Sequence, residues 1–281
     1  MYWRGSHDIK ELLGRVLRER AAEFRGKVVV DVPAGNGVTS AQLRDWGADV
    51  RALDLFPEFF KAPGLTCAKV DLADALPLPS ASADWIIFQE GIEHLPDQVR
   101  VLRECARVLR PDGRLILTTP NTSNLRSKLA HFLFEAETLK VLPPNEVDSV
   151  WVTADGDSRD GPPRVYFGHL FSIGIQRLRT LAKVAGLDIV TVHPARVNWT
   201  SFALWCLLAP WIHVRSSATF RRSLRKNGFA TPPQAYTETL ALMRRRDILC
   251  SGHLIVEFRK SATATLPTDA RSAQDLRDVI T

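Results

Sequence analysis

Near the start of the chain, Ile9, Leu12, Leu13, Val16 and Leu17 recur on one stripe, which predicts a helix over 9–24 closed by Gly26. Lys27 to Asp31 is a short β-branched run of the kind buried on both faces of a parallel sheet. A turn over 32–37 follows, then a helix from Thr39 to Trp46 stopped by Gly47. The alternation continues with a strand over 49–54, a helix-like 57–61, and strands over 65–71 and 83–89. A helix over 97–109 ends at the Pro111-Asp112-Gly113 turn, and Arg114 to Thr119 reads as the next strand. Such a βα series predicts an α/β, Rossmann-like doubly wound sheet, mainly parallel, with helices on both faces.

The later pattern differs. A helix over 172–185 and a strand over 187–193 are followed by a last, antiparallel strand over 253–258. The series is expected to form one domain over 1–260, carrying insertions at about 122–168 and 196–248 that form a cap, with a polar tail over 261–281. Cys67, Cys105, Cys206 and Cys250 lie far apart with no C-x-x-C pair, so neither a disulfide scaffold nor a zinc knuckle is expected. Met1 to Glu11 has no signal-peptide apolar core, and the reduced cysteines agree with a cytoplasmic location.

After the first strand, Gly35 and Gly37 allow close backbone approach to a ligand at a helix N-terminus. A dinucleotide fingerprint would need glycine where Ser40 stands, which disfavours an oxidoreductase. Acids at strand ends, Asp31, Asp54 and Asp71, suit a cofactor with an amino group and a ribose diol. This pattern resembles the class I S-adenosylmethionine-dependent methyltransferases over roughly residues 25–120. The resemblance implies that Asp31 and the Gly35/Gly37 loop hold the methionine end, with Gln89 beside them. It places Asp54 with Leu55 at the ribose and Asp71 with Leu72 at the adenine. Pro33 stands where the family usually has its first glycine, so the entry to the turn must differ.

Gln89-Glu-Gly-Ile-Glu-His94 leaves the fourth strand at the carboxyl edge of the sheet, where ligands bind. Glu90, Glu93 and His94 can converge on one cation if the segment turns. Similar E-x-x-E-H runs occur in the ubiquinone-pathway O-methyltransferases and the small-RNA 2′-O-methyltransferases. That resemblance implies catalytic residues Glu90, Glu93 and His94, with His169 as a fourth member. They would hold a divalent metal (Mg, Mn or Zn), or His94 or His169 would serve as metal-free acid or base. The Phe-x-Pro-Pro signature of the RNA enzymes is absent, as is the N-P-P-Y type run of base-amine enzymes, which favours an oxygen acceptor.

The net charge of +6 has a local origin. From Ile189 to Thr237 there is no Asp or Glu, whereas Arg196, Arg215, Arg221, Arg222, Arg225 and Lys226 all lie there. Trp199, Trp205 and Trp211 precede the basic cluster, within or beside the apolar run Phe202 to Val214, which is too short to span a bilayer. An anionic membrane surface met by 199–226 is one expectation. A cap with its tryptophans buried is the other. The expected activity is O-methylation of a lipid, quinone-like or lipid-linked glycan hydroxyl. RNA 2′-O-methylation is the rival enzyme reading, with nucleic acid ranked lower because aromatic interleaving is missing. A non-catalytic nucleotide-binding module is the reading of another class.

Overall fold

The computed structural model describes residues 4–152 and 164–261. Apart from Ser261, the expected polar tail lies outside the described residues. A seven-stranded sheet forms the centre, in the order β3-β2-β1-β4-β5-β9-β8. The parallel strands are β1 (Val28–Asp31), β2 (Asp49–Asp54), β3 (Cys67–Lys69), β4 (Ala83–Gln89) and β5 (Leu109–Pro120). β8 (Leu187–His193) closes the far edge, and β9 (His253–Lys260) runs antiparallel to both β5 and β8. The mainly parallel, doubly wound sheet with an antiparallel last strand is thus as expected.

Alternation of side chains along each strand divides the core in two. Val29, Trp85, Ile87, Ile116 and Ile255 face one layer with α1 (Arg4–Arg18), α2 (Ala21–Phe24) and α3 (Val38–Asp45). Val30, Ile86, Phe88, Leu115, Leu117 and Val256 face the other, under α4 (Gln98–Val108) and α6 (Ile175–Val184). These strand residues are nearly all inaccessible to solvent, which explains why the sequence reads there as continuous apolar runs.

Several elements differ from expectation, each for a visible reason. The first helix is broken into α1 and α2, where Arg20 turns to donate to the buried Glu257 of β9. Arg114 and His193 also reach Glu257, so one carboxylate joins the α1–α2 turn to β5, β8 and β9. Residues 57–61 give a single 3-10 turn, Pro57–Phe59. β3 is shorter than 65–71 because it is the sheet edge, with Ala68 and Lys69 exposed. β5 starts earlier than Arg114. Leu109 already pairs with Ala83, and Pro111 to Gly113 form an irregularity in the strand before the ladder resumes at Trp85 and Arg114.

The insertions have structure of their own. The first contains α5 (Leu125–Phe134) and an antiparallel pair, β6 (Val150–Val152) with β7 (Val165–Phe167). The second contains α7 (Trp199–Lys226), α8 (Gln234–Arg244) and α9 (Arg246–Cys250). Asn198 caps α7, accepting from the Ser201 N–H. No described helix is long and apolar enough to cross a membrane. Trp205 packs beside Phe202 and under Arg246, but Trp199 and Trp211 are 77% and 63% exposed. The cap with all its tryptophans buried is therefore not what forms.

Candidate functional site

The turn after β1 is built around one buried acid. Asp31 is wholly inaccessible; it accepts from the Ser40 hydroxyl at 2.5 Å and from Gln89 Nε2 at 2.9 Å. Ser40, the residue that breaks the dinucleotide fingerprint, thus has a position of its own in the site. Gln89 Oε1 accepts in turn from Thr39, so the ends of β1 and β4 and the first turn of α3 are joined. Burial pushes the Asp31 carboxyl up to about 7, against the pull of the Ser40 and Gln89 hydrogen bonds.

Asp54, at the end of β2, is also buried, and its two oxygens accept from the N–H groups of Gly35 and Phe56 at 2.7 and 2.9 Å. This fixes the glycine turn, in which Gly35 and Gly37 take φ of +54° and +82°. The Val32–Pro33 bond is cis, and Pro33 lies so near Gly91 that a Cβ there would meet its ring at 3.0 Å. Pro33 is therefore matched to the glycine of the Glu-Gly-Ile-Glu-His segment.

A cavity of about 240 Å³ opens beside this turn, lined in part by Gly35, Asn36, Thr39, Gln89 and Glu90. Lys10 of α1 is the cation among its lining residues, and its Nζ donates to Asn36 Oδ1. Asp31 and Gly37 stand behind this wall. Asp71 and Leu72 lie beyond β3, where Leu72 packs on the core and Leu55 is half-buried. Asp71 accepts from the Ala73 N–H and from Arg164 at 2.6 Å, with the Tyr166 hydroxyl at 3.4 Å. The first insertion thus reaches over the position assigned to adenine.

The Glu-Gly-Ile-Glu-His segment kinks as it leaves β4. Glu90 takes φ of +48°, a left-handed conformation that costs a non-glycine residue about 1–2 kcal/mol. The kink sends Glu90 to the cavity beside the glycine turn, whereas Glu93 and His94 turn towards the first insertion. The expected four-residue group is consequently three. Ligand atoms of Glu93, His94 and His169 lie within 4.8 Å of one another, and Glu90 is not among them. Its Oε2 lies 3.7 Å from His253 Nε2.

Both histidines are held through Nδ1. His94 Nδ1 lies 2.8 Å from the Phe167 carbonyl, an acceptor only, so Nδ1 carries a proton and, in the neutral ring, Nε2 is the bare nitrogen. His169 Nδ1 lies 2.9 Å from Glu137. The two rings meet edge to face at 5.2 Å. Glu93 is fully buried; Thr119 donates to Oε2, while Oε1 is an unpartnered buried atom 3.9 Å from His94 Nε2. Burial and the neighbouring Glu93 push Glu90 up to about 8, and burial raises Glu93 despite His94. For His169, burial acts downwards, but the hydrogen bond and charge of Glu137 outweigh it and raise the group to about 9. A second cavity, of about 470 Å³, is bounded by His94, His169, Glu137, Trp151 and Leu142.

Sequence reasoning found the acids at the strand ends and the two histidines. It missed Lys10, Glu137, Trp151 and Arg164. Lys10 could have been found from its place in the first helix; Glu137 and Arg164 sit in a segment without periodicity and give no signal.

These features together are those of the class I S-adenosylmethionine-dependent methyltransferases, which the chain resembles over its strand-end half. A methyltransferase-domain family model matches residues 30–117. The chain is similar to the ubiquinone biosynthesis O-methyltransferase of Xanthomonas oryzae pv. oryzae, 34% identical over 117 residues, covering 38% of this chain and 49% of the relative. The corresponding protein of Aliivibrio fischeri is 29% identical over 151 residues, covering 50% of this chain and 64% of that one. The chain thus spans about half to two thirds of the length of these curated relatives. In fold it resembles a solved chain from Listeria monocytogenes, provisionally assigned as an S-adenosylmethionine-dependent methyltransferase. That likeness has a TM-score of 0.50 at 12% identity, covering 89% of this chain and 98% of the other.

Because the pKa of Asp31 is raised above its unfolded value, its stabilising contribution is complete below about pH 4 and is lost as pH rises through about 7. Denaturant titration is expected to show the protein less stable at about pH 8 than at about pH 5, by roughly 2–4 kcal/mol from this group. Asp31→Asn should remove that component; an unchanged pH dependence in the variant would contradict the assignment.

Proposed function

We propose that this protein transfers a methyl group from S-adenosylmethionine to a hydroxyl of an amphipathic acceptor, a lipid, quinone-like or lipid-linked glycan molecule. The observation that carries the proposal is that two cavities lie at the two ends of the kinked Gln89 to His94 segment, one lined by Gln89 and Glu90 and the other by His94. One has the glycine turn and strand-end acids on its side, the other the histidine pair. The residues fit the donor. Asp54 with Leu55 takes the ribose hydroxyls, Asp71 with Leu72 the adenine end, and Lys10 the carboxylate of the methionine end. Asp31 and Gln89 brace the turn. The ordinary capacity of a carboxylate oxygen for a second hydrogen bond leaves room for the diol at Asp54.

On the acceptor side, methyl transfer needs an oxygen in line and a place for its proton. His94 Nε2 is bare and receives the proton, and the imidazolium so formed stays beside Glu93. The Phe167 carbonyl keeps the ring in the right tautomer. His169, cationic through Glu137, orients the acceptor oxygen as a donor. The apolar wall with Leu142 and Trp151 suits an acceptor with an apolar body. Glu93, His94 and His169 also fit a divalent cation, since Glu93 Oε1 is unpartnered and both histidines have Nδ1 fixed from behind. When bound, such a cation would supply Lewis-acid polarisation of the acceptor hydroxyl.

The membrane part of the proposal rests on α7. Trp199, Leu207, Trp211 and Val214 are exposed on one helical face, and Arg221 and Arg225 continue that face seven and eleven residues after Val214. An apolar stretch followed by a basic one suits an anionic interface.

In calorimetric titration, S-adenosylhomocysteine is expected to bind and NAD not to. Asp54→Ala should weaken the former by about 2–3 kcal/mol through loss of a charge-assisted contact. Binding of NAD alone would overturn the methyl-donor reading. A chelator separates the two versions of the catalytic group. If a cation is used, chelation and His169→Ala each lower turnover far more than S-adenosylhomocysteine affinity; full activity after chelation leaves His94 as a metal-free base. Co-sedimentation with anionic vesicles at low salt should succeed for the wild type. It should fall by about 3 kcal/mol in an Arg221→Ala/Arg222→Ala/Arg225→Ala variant, at about 1 kcal/mol per charge. No sedimentation and no shift in tryptophan emission would return the acceptor to a soluble molecule.

A further inference from the structure

Behind α7 lies a groove of about 420 Å³ that the donor and histidine sites do not use. It is walled by α5, α6, α7, α8 and α9, with Leu208, Ile212, Leu242 and Ile248 among its apolar lining and Trp211 at its exposed edge. No acid lines it, but two cations do, Lys128 of α5 and Arg215 of α7. Neither has a carboxylate partner among the described residues. Lys128 keeps an exposed surface, desolvation of its ammonium group by the surrounding walls lowers its pKa, and Glu135 and Glu137 line the adjoining cavity without forming an ion pair with it.

The groove does not end at these cations. Lys128 also lines the adjoining cavity of about 610 Å³, whose walls include Arg177, His131, Glu137 and His169. Glu137 and His169 in turn bound the cavity at His94. Shared walls, first Lys128 and then Glu137 and His169, therefore place the apolar chamber, a mixed-charge cavity that also holds Glu135, and the histidine pair side by side in that order. The outer edge of the chamber is Trp211, which stands on the exposed face of α7.

We propose that this groove binds the apolar chain of a lipid anion, with its phosphate or carboxylate between Lys128 and Arg215. The hydroxyl-bearing end of the same molecule reaches towards His169 and His94. The inference rests on the methyltransferase reading above and narrows its acceptor to a chain-bearing anion. The apolar wall supplies burial for a chain, and unpaired cations at its mouth supply what the anion would otherwise lose on leaving water. Because Trp211 belongs to both the chamber and the exposed face, a chain can enter from a bilayer without crossing bulk water.

Dodecyl phosphate below its micellar concentration tests this by calorimetry on the protein saturated with S-adenosylhomocysteine. Dodecyl phosphate is expected to bind about tenfold or more tighter than either inorganic phosphate or dodecanol. Lys128→Ala/Arg215→Ala should weaken it by about tenfold or more, and Ile212→Trp, which fills the chamber, should abolish it. S-adenosylhomocysteine affinity should be unchanged in each variant, which reports that the fold is intact. Equal binding of inorganic phosphate would mean an adventitious ion only and would overturn the proposal, as would full binding by Ile212→Trp. No binding of dodecyl phosphate by a protein that binds S-adenosylhomocysteine would sink the lipid site and leave the methyltransferase reading standing. Failure to bind S-adenosylhomocysteine would remove that reading itself.

Discussion

The buried carboxylate of Asp31 is the constraint on which the rest of the site depends. An ionised acid without solvent must be hydrogen-bonded or hold its proton. Here Ser40 and Gln89 provide the bonds, and they come from α3 and from β4. Satisfying one acid therefore sets the angle at which α3 leaves the glycine turn and the distance between the ends of two strands. The turn in turn presents the Gly35 N–H to Asp54, so a second strand-end acid is fixed by the geometry the first one imposes. Both sides of the cofactor crevice follow from these contacts.

The left-handed kink at Glu90 is the second dependency. In an extended continuation of β4, successive side chains would alternate between the two faces of the sheet. The kink places Glu90 on the glycine-turn side and sends the chain into a 3-10 turn that carries Glu93 and His94 to the other cavity. Two carboxylates that repel one another are thus shared between two compartments, and burial, with the repulsion that remains, raises the pKa of Glu90. Expecting Glu90 and Glu93 to act on one cation ignored this divergence, because spacing along the chain shows neighbours in sequence but not the sign of a φ angle.

The strands of the sheet were legible because both of its faces are covered and the runs Val28 to Val30 and Trp85 to Phe88 are apolar throughout. Elements at edges were read less well. β3 loses its ends where it meets solvent, and the first helix breaks where Arg20 finds Glu257, a partner 237 residues away that local periodicity does not contain. The strand-end acids and the Glu-x-x-Glu-His run were legible as chemistry. The partners that hold them were not: Glu137 meets His169, and Arg164 meets Asp71, only through the fold of the first insertion. Long-range electrostatics of this kind leave no trace in hydrophobic pattern.

The family match ends at residue 117, just where β5 delivers the chain to the sheet edge, and this boundary divides the chemistry of the molecule. Asp31, Asp54, Asp71, Glu93 and His94 all lie before it. Glu137 and the Phe167 carbonyl that fixes His94 lie after it, in the first insertion, and His169 directly follows that insertion. The cationic groove between α5 and α7 also lies after it, drawing on both insertions. A donor that is the same for many acceptors needs a fixed crevice, so its residues sit on rigid strand ends. An acceptor that differs from one enzyme to another is best met by segments free to change length without disturbing the sheet. The base of the proposed mechanism illustrates how the two halves depend on each other: His94 comes from the strand half, but the Phe167 carbonyl of the insertion holds its Nδ1. On that proposal, the ring is oriented for its role only when the acceptor side of the protein is folded around it.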